Sequence, residues 1–272
     1  MCSQLEYDPR NIEPPLNSQE KLNAIWKQDL SYIVRFSQEP MIHRSTVYEH
    51  VVRVMYLSEK VGQLMDFELN RNDIDITQLV HYAQIHDDPE VITGDIPSHH
   101  KSALTPSGKM QLHLAEKEAI QTLAKRYYKS QEQQKEYIHN WEEFTSMNSL
   151  EAQIVNIADK WDATCEVLTD IRYGNNTEAI FRILERYRTI FKSFQHKEVL
   201  EILSLIIPIE IPSDEDARNL PKIENNYFEE SQQNLDTLTQ KSLFPPTLPL
   251  FYDFWLQINN ANALTIIPSW NK

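Results

Sequence analysis

Glycine is scarce in this sequence, with only four among 272 residues. Tight β-hairpins and phosphate-cradling loops consume glycine, because glycine adopts positive φ angles without steric cost, whereas helix interiors disfavour it. The scarcity therefore argues against a β-rich fold and against a glycine-rich phosphate loop. We predict an all-α fold, built as a helical bundle.

Cysteines and long apolar runs are also lacking. The two cysteines, Cys2 and Cys165, provide neither a disulfide framework nor a cysteine zinc site. No segment approaches the roughly 20 apolar residues of a membrane span, and the first residues lack the pattern of a signal peptide. We expect a cytoplasmic protein that is neither secreted nor bound to a membrane.

Basic residues are outnumbered, since 26 Lys and Arg stand against 40 Asp and Glu and give a net charge of -14. Nucleic-acid polymers are held by clustered Lys and Arg, so this balance argues against a broad nucleic-acid-binding face. A small anionic substrate is still compatible, because a metal ion and one or two basic side chains reverse the charge locally. An apolar content of 41% is sufficient for a real core.

Apolar residues recur at helical spacing along most of the chain. The predicted helices begin at Ser18, at Ser45 or Thr46, at Asn72 or Asp73, and at Asn148 or Ser149, and two more cover residues 177–194 and 197–207. Prolines and a Thr-Gly-Asp sequence predict an ordered loop over residues 91–106. A polar helical stretch follows over residues 112–144, and its portion 129–143 is expected to be an exposed turn or a fraying end.

The composition changes along the chain and predicts three parts. Residues 1–16 form a Pro-containing leader, residues 17–207 the main domain, and residues 208–272 a C-terminal extension marked by prolines and acidic residues. Three roles for the extension are open: it covers the bundle, it forms a homodimer contact through the aromatic residues from Phe251 to Trp255, or it lies partly disordered.

Four side chains on three predicted helices carry the functional prediction. His50 lies on an apolar helix face, His86 and Asp87 end the next helix, and Asp159 lies beside the buried face of a later one. Imidazoles and carboxylates on rigid elements are the ligands of divalent metals that activate water. A single histidine on an apolar face is more often a hydrogen-bonded core residue, so the prediction depends on the combination.

This order of residues resembles the HD-domain phosphohydrolases, which share a His, a later His-Asp pair and a distant Asp. The segments Thr-Val-Tyr-Glu-His50, His86-Asp-Asp-Pro-Glu-Val-Ile-Thr-Gly-Asp95-Ile-Pro and Ile-Ala-Asp159-Lys are most similar to those of the bacterial 5'-deoxynucleotidases. Those enzymes remove phosphate from deoxyribonucleoside 5'-monophosphates. Over residues 22–207 the resemblance implies an HD-domain bundle that hydrolyses the phosphomonoester of a (deoxy)nucleoside 5'-monophosphate to nucleoside and phosphate.

The resemblance also implies roles for individual residues. One divalent cation, which is Mn, Co, Mg, Zn or Fe, would have four ligands: His50, His86, Asp87 and Asp159. Arg35 would bind the substrate phosphate, and Glu90 and Asp95 would be the catalytic residues beside the cation. Phe36 stands where the deoxynucleotidases carry a tryptophan that helps to exclude a 2'-hydroxyl, so selectivity for deoxyribose is open. Lys101 either helps to hold the phosphate or is a solvated lysine.

Other interpretations stay open at this point. Glu90 and Asp95 could cap the loop, and Arg35 could pair with a surface acid. Related HD proteins act on nucleoside triphosphates or on guanosine tetraphosphate-type nucleotides, and a regulatory HD module would bind a nucleotide without turnover. Extra histidines, namely His99, His100 and His113, would mark a second metal or a dinuclear oxygenase if one of them entered the metal shell.

Overall fold

The computed structural model describes residues 18–69, 73–193 and 211–223. These residues form α-helices and one isolated antiparallel bridge between Val34 and Thr46, and they contain no β-strand. The helices are α1 (Ser18–Ser31), α2 (Val47–Leu69), α3 (Ile76–Ile85), α4 (Glu90–Thr93), α5 (Ser98–Ala103), α6 (Pro106–Tyr127), α7 (Gln131–Ser146), α8 (Leu150–Arg172), α9 (Glu178–Lys192) and α10 (Asp214–Arg218). The prediction of an all-α fold is confirmed.

Side-chain caps determine where the main helices begin. Thr46 Oγ1 accepts a hydrogen bond from the backbone N–H of Glu49, whose carboxylate in turn accepts the N–H of Thr46. Thr46 rather than Ser45 is therefore the cap of α2, in a capping box. Ser149 caps α8 by accepting a hydrogen bond from the N–H of Ala152, so of the two predicted caps, Asn148 and Ser149, the second is observed.

The structure corrects two predictions, the start of α3 and the loop over residues 91–106. The helix begins at Ile76 instead of residue 72 or 73, because Asp75 is the residue whose carboxylate accepts the N–H of Gln78. The expected loop over residues 91–106 contains most of α4 and the whole of α5, two short helices separated by Gly94 at φ 76°. These helices were missed because neither is long enough to show an apolar period.

Helix α7 corrects the expected exposed turn at residues 129–143. It is a regular helix that buries Tyr137, Trp141 and Phe144 on one face. These three aromatics are spaced four and three residues apart, which is helical spacing. Their burial outweighs the Gln, Glu and Lys residues that occupy the rest of the helix.

Helix α8 is the centre of the bundle. It packs against α2, α3, α7 and α9 and is buried on almost all sides towards its C-terminal half. Trp161 and Ile157 on α8 meet Val54 and Leu57 of α2 and Leu79 of α3 in one continuous core. A helix surrounded in this way holds its polar side chains in fixed positions, and α8 carries several residues of the site described below.

Residues 211–223 belong to the predicted C-terminal extension, and they lie against α8. Ala217 and Leu220 are buried there, and Arg172 donates a hydrogen bond of 2.8 Å from Nε to the carbonyl of Pro221. The predicted leader, the predicted helix at 197–207 and the aromatic residues from Phe251 to Trp255 lie outside the described residues. Within the described part, no helix has the length and apolar character needed to cross a membrane.

Candidate metal centre and active site

Three helices bring the four predicted ligands to one point. His50 projects from α2, His86 and Asp87 follow α3, and Asp159 comes from α8. His50 Nε2 lies 3.3 Å from His86 Nε2, from Asp87 Oδ2 and from Asp159 Oδ1. His86 Nε2 also lies 3.3 Å from Asp87 Oδ2. The structure thus brings together the whole predicted ligand set.

The other ring nitrogen of each histidine is held by the protein. His86 Nδ1 donates to the carbonyl of Ala83 at 2.7 Å, and His50 Nδ1 donates to Asp162 Oδ2 at 2.7 Å. These bonds fix the tautomers, because an imidazole that donates from Nδ1 presents a lone pair at Nε2. Two lone pairs and two carboxylates therefore converge, an arrangement that repels itself unless a cation or proton lies between them.

The donor atoms suit a divalent cation. Metal–ligand bonds of about 2.1 Å place neighbouring ligand atoms about 3.0 Å apart in an octahedron and about 3.4 Å apart in a tetrahedron. The observed separations of 3.3 Å fall between these values. Donor atoms of His50, His86 and Asp159 all lie within 4.8 Å of one another. The residues present consequently fit a metal ion.

The charges around His50 also favour a cation. Burial and the neighbouring Arg35 lower the pKa of this imidazole, but hydrogen bonds to Asp159, Asp162 and Asp87 raise its pKa well above the usual value. The surroundings of the ring thus attract positive charge strongly. A second set of possible donors, His50, Asp162 and Glu166, is no metal site, because the Arg53 guanidinium already contacts both carboxylates.

Arg35 lies beside the cluster and is nearly fully buried. Its Nε donates to Glu166 Oε2 at 3.0 Å, and its Nη1 lies 3.5 Å from Asp87 Oδ2. The alternative of a surface ion pair therefore does not apply to Arg35. A buried guanidinium that reaches the same cleft as two carboxylate ligands can bind an anion there.

Asp95 supports the turn that carries Arg35. Its Oδ2 accepts the backbone N–H of Phe36 at 2.8 Å, and Phe36 has a φ of 52°, in the left-handed region. This conformation is strained for a residue other than glycine, so the hydrogen bond helps to hold it. Burial raises the pKa of the Asp95 carboxyl. One Asp95 oxygen thus has a structural role that the sequence did not reveal.

Glu90 has a different environment. It is only 6% exposed, and its Oε2 has no hydrogen-bond partner in the described residues. Its Oε1 lies 3.8 Å from Lys101 Nζ, which also lies 3.6 Å from Glu116. Burial and the nearby Asp87 raise the pKa of Glu90 well above its usual value. A buried carboxyl oxygen without a hydrogen-bond partner lowers the stability of the fold unless a ligand or a water molecule forms a hydrogen bond with it.

The described residues around the predicted site line one cleft. All five predicted catalytic and substrate-binding residues reach it, namely Arg35, Phe36, Glu90, Asp95 and Lys101. Apolar side chains of Ile96, Pro97 and Ile183 form part of its wall. Helix α9 adds Arg186 and Tyr187. Sequence reasoning did not place α9 at the site, because its residues match no motif.

Residues 24–208, which are more than half of the chain, match the family model of the 5'-deoxynucleotidase YfbR-like proteins. The chain belongs to this family. It is a metal-dependent phosphohydrolase of the HD superfamily, and its helical fold is the HD-domain fold.

Solved structures agree with the YfbR-like assignment at the level of the fold. An HD-domain phosphohydrolase from Listeria innocua is 21% identical, with a TM-score of 0.58 over 82% of this chain and 99% of that one. The PH0347 protein from Pyrococcus horikoshii OT3 is 17% identical, with a TM-score of 0.53 over 72% of this chain and 96% of that one. Comparison with curated proteins gave no match.

The extra histidines do not join the cluster of this YfbR-like chain. His99 Nδ1 lies 3.2 Å from Glu39 Oε1, its ring contacts that of His100, and His113 stacks on Trp141. None of the three appears among the described groups of potential metal ligands. The geometry therefore offers no support for a second metal at these residues.

Proposed function

We propose that the protein hydrolyses the phosphomonoester of a nucleoside 5'-monophosphate and releases nucleoside and inorganic phosphate. The observation that carries the proposal is the convergence of two lone-pair imidazoles and two carboxylates beside the buried guanidinium of Arg35. We assign one divalent cation to four ligands: His50, His86, Asp87 and Asp159. The family match to 5'-deoxynucleotidases supports this substrate class.

The residues divide the chemistry as follows. When bound, the cation supplies Lewis-acid chemistry, drawing electron density from phosphoryl and water oxygens. Arg35 binds the phosphate and stabilises the charge of the transferring phosphoryl group. A water oxygen forms the new bond to phosphorus while the bond to the sugar oxygen breaks. The water gives up a proton, a proton is transferred through Glu90 to the sugar oxygen, and that oxygen leaves as a hydroxyl.

Glu90 is the proton-transfer residue in this proposal. Its Oε2 has no hydrogen-bond partner among the described residues, and burial raises the pKa of this carboxyl, which favours a form that can give up a proton. Asp95 already binds the backbone of Phe36 through one oxygen, so we assign it to holding the Arg35 turn. Lys101 lies between Glu90 and Glu116 and contributes positive charge to the cleft wall.

The charge of the cleft favours a monophosphate over longer phosphate chains. Among the described residues, four basic side chains line it, Arg35, Lys101, Lys160 and Arg186, against five acidic ones, Glu39, Asp87, Glu90, Asp95 and Asp159. Each of the four basic side chains already lies close to an acidic one: Arg35 to Glu166, Lys101 to Glu116, Lys160 to Asp159 and Arg186 to Glu39. Triphosphates and guanosine tetraphosphate-type nucleotides would need more unpaired positive charge. A regulatory module is disfavoured because the four predicted ligands lie together and both Glu90 and Asp95 line the cleft.

Phosphate release from a panel of nucleotides tests the proposal. Metal-stripped protein receives Mn²⁺, Co²⁺, Mg²⁺ or Zn²⁺ together with deoxy- or ribonucleoside mono- and triphosphates. We expect metal-dependent release from monophosphates, and we expect His100→Gln, an exposed imidazole outside the cluster, to behave as the wild type. An inert panel with metal demonstrably bound, or release from triphosphates alone, would contradict the proposal.

Phe36 makes the sugar preference a separate measurement. Its ring packs beside the Arg35 guanidinium, 5.4 Å from centroid to Cζ, and lines the cleft. We propose that it contacts the sugar, so that Phe36→Trp raises the ratio of deoxy- to ribonucleotide turnover by filling space near the 2' position. A ratio that is the same in Phe36→Trp and Phe36→Ala would place the sugar elsewhere.

A further inference from the structure

A buried network of charged side chains connects the phosphate side of the cleft with the metal side. Its members, in order of contact, are Arg35, Glu166, Arg53, Asp162 and His50. All five are buried. They come from the segment before α2, from α2 and from α8, and the contacts between α8 and the other two join residues more than 100 apart in sequence.

Glu166 lies at the Arg35 end of this buried network. Its Oε2 accepts the Arg35 Nε–H at 3.0 Å, and its Oε1 accepts Arg53 Nη2 at 2.6 Å and the hydroxyl of Ser45. Both carboxylate oxygens are thus used, and the plane of the carboxylate is fixed. Because Glu166 takes the Nε–H of Arg35, the Nη groups of Arg35 are left to reach the cleft and Asp87.

Asp162 lies at the His50 end. The Arg53 guanidinium binds it through two nitrogens, at 2.7 Å from Nε to Oδ1 and 3.0 Å from Nη2 to Oδ2. Asp162 Oδ2 then accepts the His50 Nδ1–H at 2.7 Å. Two guanidiniums and two carboxylates balance in charge, which allows the whole set to be buried without a net charge.

We propose that Glu166 is a positioning residue for Arg35. The buried network then fixes the position of the phosphate-binding guanidinium of Arg35 relative to the metal-binding imidazole of His50. Arg53 links the two ends of the network, since its guanidinium contacts both Asp162 and Glu166. Arginine suits the position of Arg35 because its fork can bind Glu166 and a substrate phosphate together, which a lysine ammonium cannot do in the same geometry. This inference rests on the proposed function.

The first test compares the two ends of the network. Glu166→Gln removes one acceptor and the negative charge while keeping the shape, so we expect inorganic phosphate to bind metal-loaded protein about ten-fold more weakly by calorimetry. The affinity for Mn²⁺ should change little in this variant. Asp162→Asn is the matched variant at the other end, and it should weaken Mn²⁺ retention about ten-fold or more, as loss of the partner of a metal-bound histidine does.

A double-mutant cycle separates positioning from general destabilisation. In an Arg35→Ala background, Glu166→Gln should weaken phosphate binding no further than about two-fold, since Arg35 is the group through which Glu166 acts. A further loss as large as in the wild-type background would overturn the inference. So would a Glu166→Gln protein that melts at a lower temperature but binds phosphate as the wild type does.

Ser45→Ala provides a milder variant in case Glu166→Gln does not fold. It removes only the hydroxyl that donates to Glu166, and we expect about a three-fold loss of phosphate affinity with unchanged Mn²⁺ affinity. Unchanged phosphate binding in Ser45→Ala would count against the inference. If no nucleotide is hydrolysed but the phosphate affinities follow the expected pattern, the proposed function fails and the positioning role of Glu166 stands.

Discussion

Two buried imidazoles, those of His50 and His86, each form a hydrogen bond to the protein with one nitrogen and turn the other towards the same point. His86 achieves this with the carbonyl of Ala83, three residues earlier in α3, whereas His50 depends on Asp162, which lies 112 residues away. The sequence motif predicted four side chains as ligands, and the structure places them close together. It could not predict the Asp162 partner or the Arg53 contact, because ion pairs between distant helices leave no spacing pattern in a single chain.

Glu90→Gln tests proton transfer at the scale of one residue. The amide keeps the size of the side chain but cannot exchange a proton, so we expect kcat to fall about 100-fold or more. Metal content and phosphate affinity should stay near wild-type values, which mass spectrometry of the metal and inhibition by phosphate will show.

Glu116→Gln is the matched control for this change, since Glu116 is the other acid beside Lys101. Its kcat should stay within about two-fold of the wild type, as expected for a residue away from the reacting atoms. If Glu90→Gln lost metal and turnover in equal measure, Glu90 would be a structural residue.

At the scale of the element, α8 carries more of the site than any other described helix. Asp159, Asp162 and Glu166 occur at steps of three and four residues, which places them along one side of the helix. The apolar period of α8 and its Ser149 cap were readable from the sequence. The polar α7 was misjudged, because its composition concealed the spacing of three buried aromatics.

Ser149→Ala tests whether the side-chain cap at Ser149 stabilises α8. Loss of the side-chain acceptor for the Ala152 N–H should lower the free energy of unfolding by about 1 kcal/mol, measured by urea denaturation. Ser102→Ala, at an exposed serine within α5, should change it by less than about 0.5 kcal/mol. Equal effects of the two substitutions would show that the cap does not stabilise α8.

At the scale of the whole molecule, Asp88 connects distant helices to the turn that carries His86 and Asp87. Its carboxylate accepts Trp26 Nε1–H from α1 at 2.8 Å and the Tyr137 hydroxyl from α7 at 2.5 Å. Burial raises the pKa of Asp88 to about 6. The residue directly follows His86 and Asp87, two of the proposed ligands, so these hydrogen bonds help to fix the turn that carries them.

Asp88→Ala should therefore destabilise the bundle by about 2–4 kcal/mol, because a buried indole N–H and a buried hydroxyl both lose their acceptor. Tyr137→Phe removes one of these bonds together with its donor and should cost only about 1 kcal/mol. Thermal or urea unfolding measures both. A cost for Asp88→Ala no greater than that for Tyr137→Phe would mean that the Trp26 bond contributes nothing.

The sequence predicted the global fold well within the family domain and poorly beyond it. The HD motif and the helical periods indicated the bundle, since both are local patterns. The packing of residues 211–223 on α8 depends on contacts such as Arg172 to Pro221, which join segments that no motif relates. For the same reason, the cleft wall supplied by α9 became visible only in the structure.

A metal titration of turnover tests the central claim most directly. Phosphate release from a nucleoside 5'-monophosphate by metal-stripped protein should rise with added Mn²⁺ and reach its plateau at one cation per chain. Asp159→Asn should need about ten-fold more Mn²⁺ or more, because an amide is a poorer ligand than a carboxylate. Full turnover without metal, or the same titration for Asp159→Asn and the wild type, would contradict the proposed centre.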